Sequence, residues 1–279
     1  MRRLHFCTAG VPHSSPKQDS LTGLRHVASL GLDGMEMEFV HGVRMPRETA
    51  QEMRAIAASN NLVLTAHAPY YINLNAAENQ KWHASITRIV QTAQRATDAG
   101  AYSICFHPGF YQGQQPEKVF SRVREALAEV FRQLGDTEVW VRPETTGKGS
   151  QFGSLQECIA LSKEFERMLP CVDFSHLHAR SGGKFNTTEE FRAVLAEMER
   201  ELGRTSLENM HIHLSGIAYS EKGERNHLIL EESDMRWREL LAALKEFRCA
   251  GALVCESPNI ETDTGMLKRC WQENISPLK

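Results

Sequence analysis

The sequence predicts a single (β/α)8 barrel spanning 1–279. Three observations point there. Short apolar runs alternate with amphipathic helical periods along the whole chain. Six of those runs end in a polar donor: Leu62–His67, Ser103–His107, Val139–Glu144, Cys171–His176, Met210–His213 and Leu253–Glu256. The long, polar or Gly-rich connections (68–80, 145–153, 178–187 and 215–233) all follow strands, on the face that carries function in such barrels.

Taken in order, Leu4–Cys7 reads as the first strand and Gln18–Leu30 as a helix ending at Gly31. Gly34–Val40 alternates like a strand, and Arg47–Ser59 is helical. Leu62–His67 is the third strand. In Lys81–Ala99, Ile86, Ile89, Val90 and Ala93 share one helical face, and Gly100 closes the helix. Ser103–Phe106 is the fourth strand. Pro116 opens Glu117–Leu134, which places Val119, Phe120, Val123, Leu127, Val130 and Phe131 at helical spacing. Val139–Val141 precedes a helix over Leu155–Met168, and Cys171–Phe174 precedes a helix over Thr188–Leu202 with a capping signal at its start. Met210–Leu214 leads to a helix over Met235–Phe247, and Ala252–Cys255 to one over Thr264–Glu273. A doubly wound sheet would show the same alternation, but no Gly-x-Gly-x-x-Gly follows any strand.

Composition narrows the function. The chain has 279 residues, 41% hydrophobic and 24% charged, enough for a sizeable core. A net charge of −3 provides no global field for coating nucleic acid, although a local basic groove is compatible with it. No apolar run approaches membrane-spanning length, and His5, Thr8, Gly10 and Pro12 interrupt any leader-like core, so a cytoplasmic protein without a membrane partner is expected. The seven cysteines include no CxxC pair; they read as reduced core thiols, with Cys105, Cys171 and Cys255 inside strands.

The strand-tip donors are His67, His107, Glu144, Asp173, His176, His213 and Glu256. Imidazole with carboxylate suits Zn, Mn or Fe, and seven donors exceed the needs of one tetrahedral ion, so a multinuclear centre is expected. Paired ions serve phosphoryl transfer, one activating water and the other stabilising the leaving oxygen. Asp173 and His176, three apart, leave their strand together. His211 and His213 are read as alternating, one facing the interior and the other the helices, with His213 chosen because it is nearer the tip. His5, His13, His26, His41, His83 and His178 lack the strand-tip context and read as ordinary.

The segments AHAPYYINL (66–74), FHPG (106–109), PETTGKGSQFGS (143–154), CVDFSHLHARSG (171–182), HIHLSG (211–216) and CESP (255–258) together resemble the endonuclease IV family of zinc-dependent barrel enzymes that cut DNA at abasic sites. The resemblance runs in order from His67 to Pro258. It implies His67 and His107 as ligands of a first metal, Glu144 as a bridging carboxylate, Asp173, His213 and Glu256 as ligands of a second, and His176 of a third. The family's remaining third-metal ligands form an Asp-x-His pair, and here the sequence departs: Glu224 stands for the Asp and Asn226 for the His, with His227 one residue later. Two or three divalent ions are therefore expected, Zn foremost. Glu256 also matches the carboxylate beside the attacking water, making Glu144 and Glu256 the catalytic candidates. Tyr70 resembles the aromatic wedge of the family. Arg44, Lys148, Arg180, Lys184, Lys222 and Arg225 lie on or near strand-exit loops, where they can meet phosphates. The implied activity is cleavage of damaged double-stranded DNA 5′ to abasic sites, by a monomer. Two other readings fit part of the pattern: a sugar or sugar-phosphate isomerase or epimerase using one divalent ion with Glu144 and Glu256 as acid and base, and a binding protein that retains the metal shell without catalysis.

Overall fold

Eight strands arrange in parallel in the order β5-β4-β3-β2-β1-β8-β7-β6 in the computed structural model, which describes residues 2–273. The strands are β1 Leu4–Ala9, β2 Gly34–Glu38, β3 Val63–His67, β4 Ser103–Phe106, β5 Trp140–Pro143, β6 Cys171–Asp173, β7 Met210–Leu214 and β8 Gly251–Cys255. Two single parallel bridges, Val141 to Met168 and Glu144 to Cys171, complete the circle between β5 and β6. This is the TIM barrel fold that the alternation predicts. The extreme ends of the 1–279 span, residue 1 and 274–279, lie outside the described residues. No helix among the described residues is long and apolar enough to cross a membrane.

The helices form where the local signals place them. Gly100 takes a left-handed conformation (φ 72°) at the end of Asn79–Ala99, Pro116 sits in the first turn of Pro116–Leu134, and Thr187 with Glu190 forms a reciprocal cap on Thr188–Leu202. Their apolar faces pack on the outside of the barrel in two large clusters. One lies over β2 to β5, with Leu64, Ile89, Ile104, Val123 and Leu127; the other lies over β6 to β8, with Val172, Leu195, Ile212, Leu240 and Leu253.

Three segments depart from expectation. The helix expected over Leu155–Met168 stops at Ser162. The chain then turns so that Arg167 O accepts from Val141 N at 3.0 Å, supplying backbone that closes the barrel, and Phe165 stacks on Phe131 at 5.0 Å. Phe174 belongs not to a strand but to a helix, Phe174–Arg180, which Asp173 starts by accepting the amide of His176 at 2.7 Å. The loop 215–233 contains an antiparallel ribbon, Gly216–Ser220 with Gly223–Leu228.

The barrel interior is unusually polar. Side chains two apart on a strand point the same way, so each donor at a tip has an interior neighbour two residues before it: Glu36 below Glu38, Cys105 below His107, Arg142 below Glu144, Cys171 below Asp173. The expectation that His211 and His213 face opposite sides fails for this reason. Both are fully buried inside the barrel, and both reach Glu36 at 2.8 Å. All seven cysteines are buried and free. Burial pushes the thiols of Cys158, Cys249 and Cys255 up, as for inert core groups. Cys171 differs: burial opposes ionisation, but a hydrogen bond from Cys105 and the nearby His211 and His213 outweigh it and bring the thiol down to about 5.

Candidate metal centre

Three donor groups adjoin at the mouth: His67, His107 and Glu144; Glu144, Asp173, His213 and Glu256; and His176, Glu224 and His227. Within each, one potential ligand atom per residue lies within 4.8 Å of all the others. Every metal-ligand candidate drawn from the sequence falls in one of them. Glu144 is the hinge of the arrangement. Its Oε2 is 3.2 Å from His67 Nε2, and its Oε1 is 3.2 Å from His107 Nε2, 3.2 Å from His176 Nδ1 and 3.4 Å from His213 Nδ1.

Local structure explains how these side chains come together. The segment after β3 is locked to the segment after β4, where Leu74 N donates to Pro108 O at 2.9 Å. Gly109 there adopts φ +137°, and a Cβ on it would stand 2.4 Å from Asn73 Oδ1, so the INL and HPG segments fit only with glycine between them. Gly109–Phe110 then pairs with Gln151–Phe152, tying the β4 exit to the β5 exit that carries Glu144. Asp173 divides its oxygens: Oδ1 caps the helix, while Oδ2 is turned inward, 3.1 Å from His176 Nδ1.

The third group depends on a β-bulge. Ala218 pairs with Asn226 and Tyr219 with Glu224, leaving Arg225 as an extra residue. Normal alternation would put Glu224 and Asn226 on one face; the extra residue instead puts Glu224 and His227 there. Asn226 is exposed, with its amide turned to His227 O at 3.2 Å. Glu224 Oε2 lies 3.6 Å from His176 Nε2, and the His176 and His227 rings are 5.8 Å apart.

Several polar atoms here are buried without a hydrogen-bond partner: both oxygens of Glu144, Asp173 Oδ2 and His213 Nδ1. Such atoms are costly unless a ligand satisfies them, and as a set of nitrogen and oxygen donors they fit divalent cations. The electrostatics agree. Burial works against charge on His67, but the Glu144 carboxylate, with Glu38 and Glu36, outweighs it and raises the imidazole to about 10. Burial also opposes charge on His176 and His213, but Asp173, Glu144 and Glu224 push the first well up, and Cys171 with Glu256, Glu36 and Glu144 the second. Against burial, His107, His213 and His176 hold Glu144 well below the usual carboxylate range, and His213, His227 and His176 lower Glu256. Burial, with Glu256 and Glu144 close by, raises Asp173 to about 6.

Two acids inside the mouth escape sequence reasoning, Glu36 and Glu38. Burial, with the charges of Glu36 and Glu256, raises Glu38 to about 8. The signal was present in the GMEMEFV stretch: alternating glutamates on a strand walled by helices must face the barrel interior.

The DNA-contact candidates divide. Tyr70 is 53% exposed at the mouth, its ring 5.3 Å from that of His67. Arg44, Lys184, Lys222 and Arg225 are exposed and Lys148 half-buried. Arg180 is occupied within the protein: its Nη1 donates to Thr146 Oγ1 at 2.9 Å, Lys148 O at 2.6 Å and Gln151 O at 2.9 Å, bracing the loop after β5. His178, expected to be ordinary, is buried between Lys184 O and Asp234 Oδ1.

A barrel that gathers acidic and histidine donors at the C-terminal ends of its strands carries a candidate metal site on the face where TIM-barrel enzymes work. The chain belongs to the xylose isomerase-like TIM barrel family, whose model matches residues 24–275. An uncharacterized protein of Methanocaldococcus jannaschii is 41% identical over 272 residues, 97% of each chain. A protein of Geobacillus named "probable endonuclease 4" is 30% identical over 172 residues, covering 60% of this chain and 56% of that one. Among solved structures, endonuclease IV from Thermus thermophilus superposes with a TM-score of 0.74 at 18% identity, covering 97% of this chain and 98% of that one. A D-tagatose 3-epimerase-like protein follows with a TM-score of 0.73 at 14% identity, covering 95% and 96%. At these identities the superpositions establish the fold alone.

Proposed function

We propose that the chain, acting as one barrel domain over 1–279, is a metal-dependent phosphodiesterase of the endonuclease IV type that cuts damaged double-stranded DNA 5′ to abasic sites in base excision repair. It is proposed to work as a cytoplasmic monomer with two or three divalent ions, Zn foremost and Mn or Fe compatible with the donors. The observation that carries this reading is the adjacency of three donor groups around Glu144, more capacity than a single-ion enzyme requires.

His67, His107 and Glu144 would hold one ion, Glu144, Asp173, His213 and Glu256 a second, and His176, Glu224 and His227 a third. Bound ions would supply Lewis acidity at the phosphate oxygens and a lowered water pKa. Glu144 keeps the donor groups in register because each of its oxygens faces a different part of the mouth. Glu256, whose side chain is 12% exposed while those of Glu144 and Asp173 are sealed, is the acid open to an incoming water and the residue placed to orient it and take its proton. Tyr70 offers a ring beside the centre for stacking on a base pair next to the lesion. Arg44, Lys148 and Arg225 are positioned to meet the backbone phosphates, and Arg180 contributes by bracing the Lys148 loop.

A second reading has specific support. The group Glu144, Asp173, His213 and Glu256 is by itself a complete four-donor site for one ion, and it suits a sugar isomerase or epimerase. One experiment separates the two: metal content per chain on protein purified without added metal, with nicking of an abasic-site duplex by the same sample. Two or three ions with nicking supports the phosphodiesterase. A single ion, no nicking and turnover of a ketose overturns it in favour of the isomerase.

A further inference from the structure

Below the donor groups, a file of fully buried polar side chains runs down the barrel interior. Arg142 Nε donates to Ser103 Oγ at 2.6 Å, and its Nη2 donates to Asn209 O at 2.7 Å. Ser103 Oγ lies 3.0 Å from His211 Nδ1, and His211 Nε2 lies 2.8 Å from Glu36 Oε2. Glu36 Oε1 lies 2.8 Å from His213 Nε2, while His213 Nδ1 is 3.4 Å from both Glu144 and Glu256. The two imidazoles thus sit on opposite oxygens of one sealed carboxylate.

We infer that Glu36 is a positioning residue that fixes the tautomer of His213, placing the proton on Nε2 and the lone pair of Nδ1 toward the ion held with Glu144, Asp173 and Glu256. A neutral imidazole carries one proton, and the partner of one nitrogen decides what the other can do. A carboxylate within hydrogen-bonding reach of Nε2 selects the proton there, and carboxylate partners of this kind orient metal-bound histidines and raise their basicity. Below, Ser103 Oγ accepts from Arg142 and lies 3.0 Å from His211 Nδ1, while His211 Nε2 lies 2.8 Å from the other oxygen of Glu36. Two sulfurs also neighbour the His213 ring, the Cys105 thiol 3.6 Å from Nε2 and Cys171; the Cys105 contact is longer than that of Glu36, and a thiol is the weaker acceptor.

The inference rests on His213 as a metal ligand and is independent of the reaction catalysed. Two measurements test it. In Zn²⁺-loaded wild type, long-range ¹H–¹⁵N spectra of the histidine rings should show His213 protonated at Nε2 alone; a proton on Nδ1 would overturn the inference. In E36Q, whose amide can accept from only one imidazole, Co²⁺ titration followed by the visible bands should show one ion bound about 10–100-fold more weakly, with the ion of the His67 and His107 group unchanged. A folded E36Q with wild-type Co²⁺ affinity and spectrum overturns it. If E36Q does not fold, the tautomer in the wild type decides. Neither readout involves DNA, so a chain that binds metal yet cuts nothing leaves this inference standing while removing the phosphodiesterase.

Discussion

The donors at strand tips and the donors on the ribbon reach the same mouth by different means. His67, Glu144, Asp173 and His213 leave strands that are paired on both sides or closed by bridges, and all four are buried. Glu224 and His227 project from a two-stranded ribbon outside the barrel and share a face only because Arg225 is bulged out. The first set is positioned by the whole fold, the second by one local irregularity. Strand-tip donors should therefore form the persistent part of the centre, and ribbon donors a part that can be removed separately.

The strongest way to break this contrast is Glu144→Gln. Because Glu144 faces four imidazoles and belongs to both of the first two donor groups, the exchange should weaken the ions of both groups and bring abasic-site nicking to background, while circular dichroism retains the barrel signature. Retained nicking with full metal content would show that the strand-tip set is not the core of the centre.

The next effect is on pH. In the metal-free protein, carboxylates raise His67 to about 10, and His176 and His213 are raised too. At pH 7 an incoming cation must displace those protons, so apparent affinity should rise by about tenfold per pH unit for each proton released. Calorimetry in buffers of different ionisation enthalpy should record at least one proton released per chain on Zn²⁺ binding at pH 7. Binding with no proton release would contradict the raised imidazoles.

A smaller effect isolates the ribbon. A Cβ on Gly147 would stand 2.6 Å from Glu224 Oε2 and 2.9 Å from His176 Cδ2. Gly147→Ala should loosen the third group, and His227→Ala should do the same by removing a donor. Both should lower the ion count by one relative to wild type, weaken that site by about 10–100-fold and spare the other two. If either also strips the His67 and His107 group, the two regions are not separable.

The same contrast explains what the sequence makes legible. The fold and the strand-tip donors show through because barrel geometry is periodic: an apolar run ending in His, Asp or Glu marks a mouth position wherever it recurs. The ribbon shows through only in part: Glu224 and, one residue beyond the expected place, His227 stand out as donors, but the bulge that brings His227 rather than Asn226 beside Glu224 turns on pairing register with a partner strand, which no one-dimensional alternation carries. The interior file was legible in principle. The alternation in GMEMEFV and HIH is plain, but the i, i+2 rule puts both members of each pair on one face, so Glu36 and His211 belong inside with Glu38 and His213. Arg180 reads as a phosphate contact from its loop position, and only the three-dimensional course of residues 146–151 reveals that its guanidinium serves the protein.

Glu38 tests the boundary of the strand-tip set. It ends β2 inside the mouth, but it belongs to none of the three donor groups. Burial and the neighbouring Glu36 and Glu256 raise it from 4.5 to about 8. Between those values the folded chain keeps a proton that the unfolded chain releases. The contribution of this group to the stability of the metal-free protein is therefore complete below pH 4.5 and lost as pH rises through 8. Glu38→Gln stays neutral throughout, so its Tm advantage over the wild type should be smallest below pH 4.5 and grow toward pH 8.5. Each kcal/mol regained should appear as roughly 2–4 °C in a chain of this size class. Metal content should be unchanged, because Glu38 stands outside the donor groups. A Tm difference independent of pH would mean that Glu38 is ionised in the folded chain, and a lost ion would mean that it is a ligand after all; either result would extend the strand-tip set to β2.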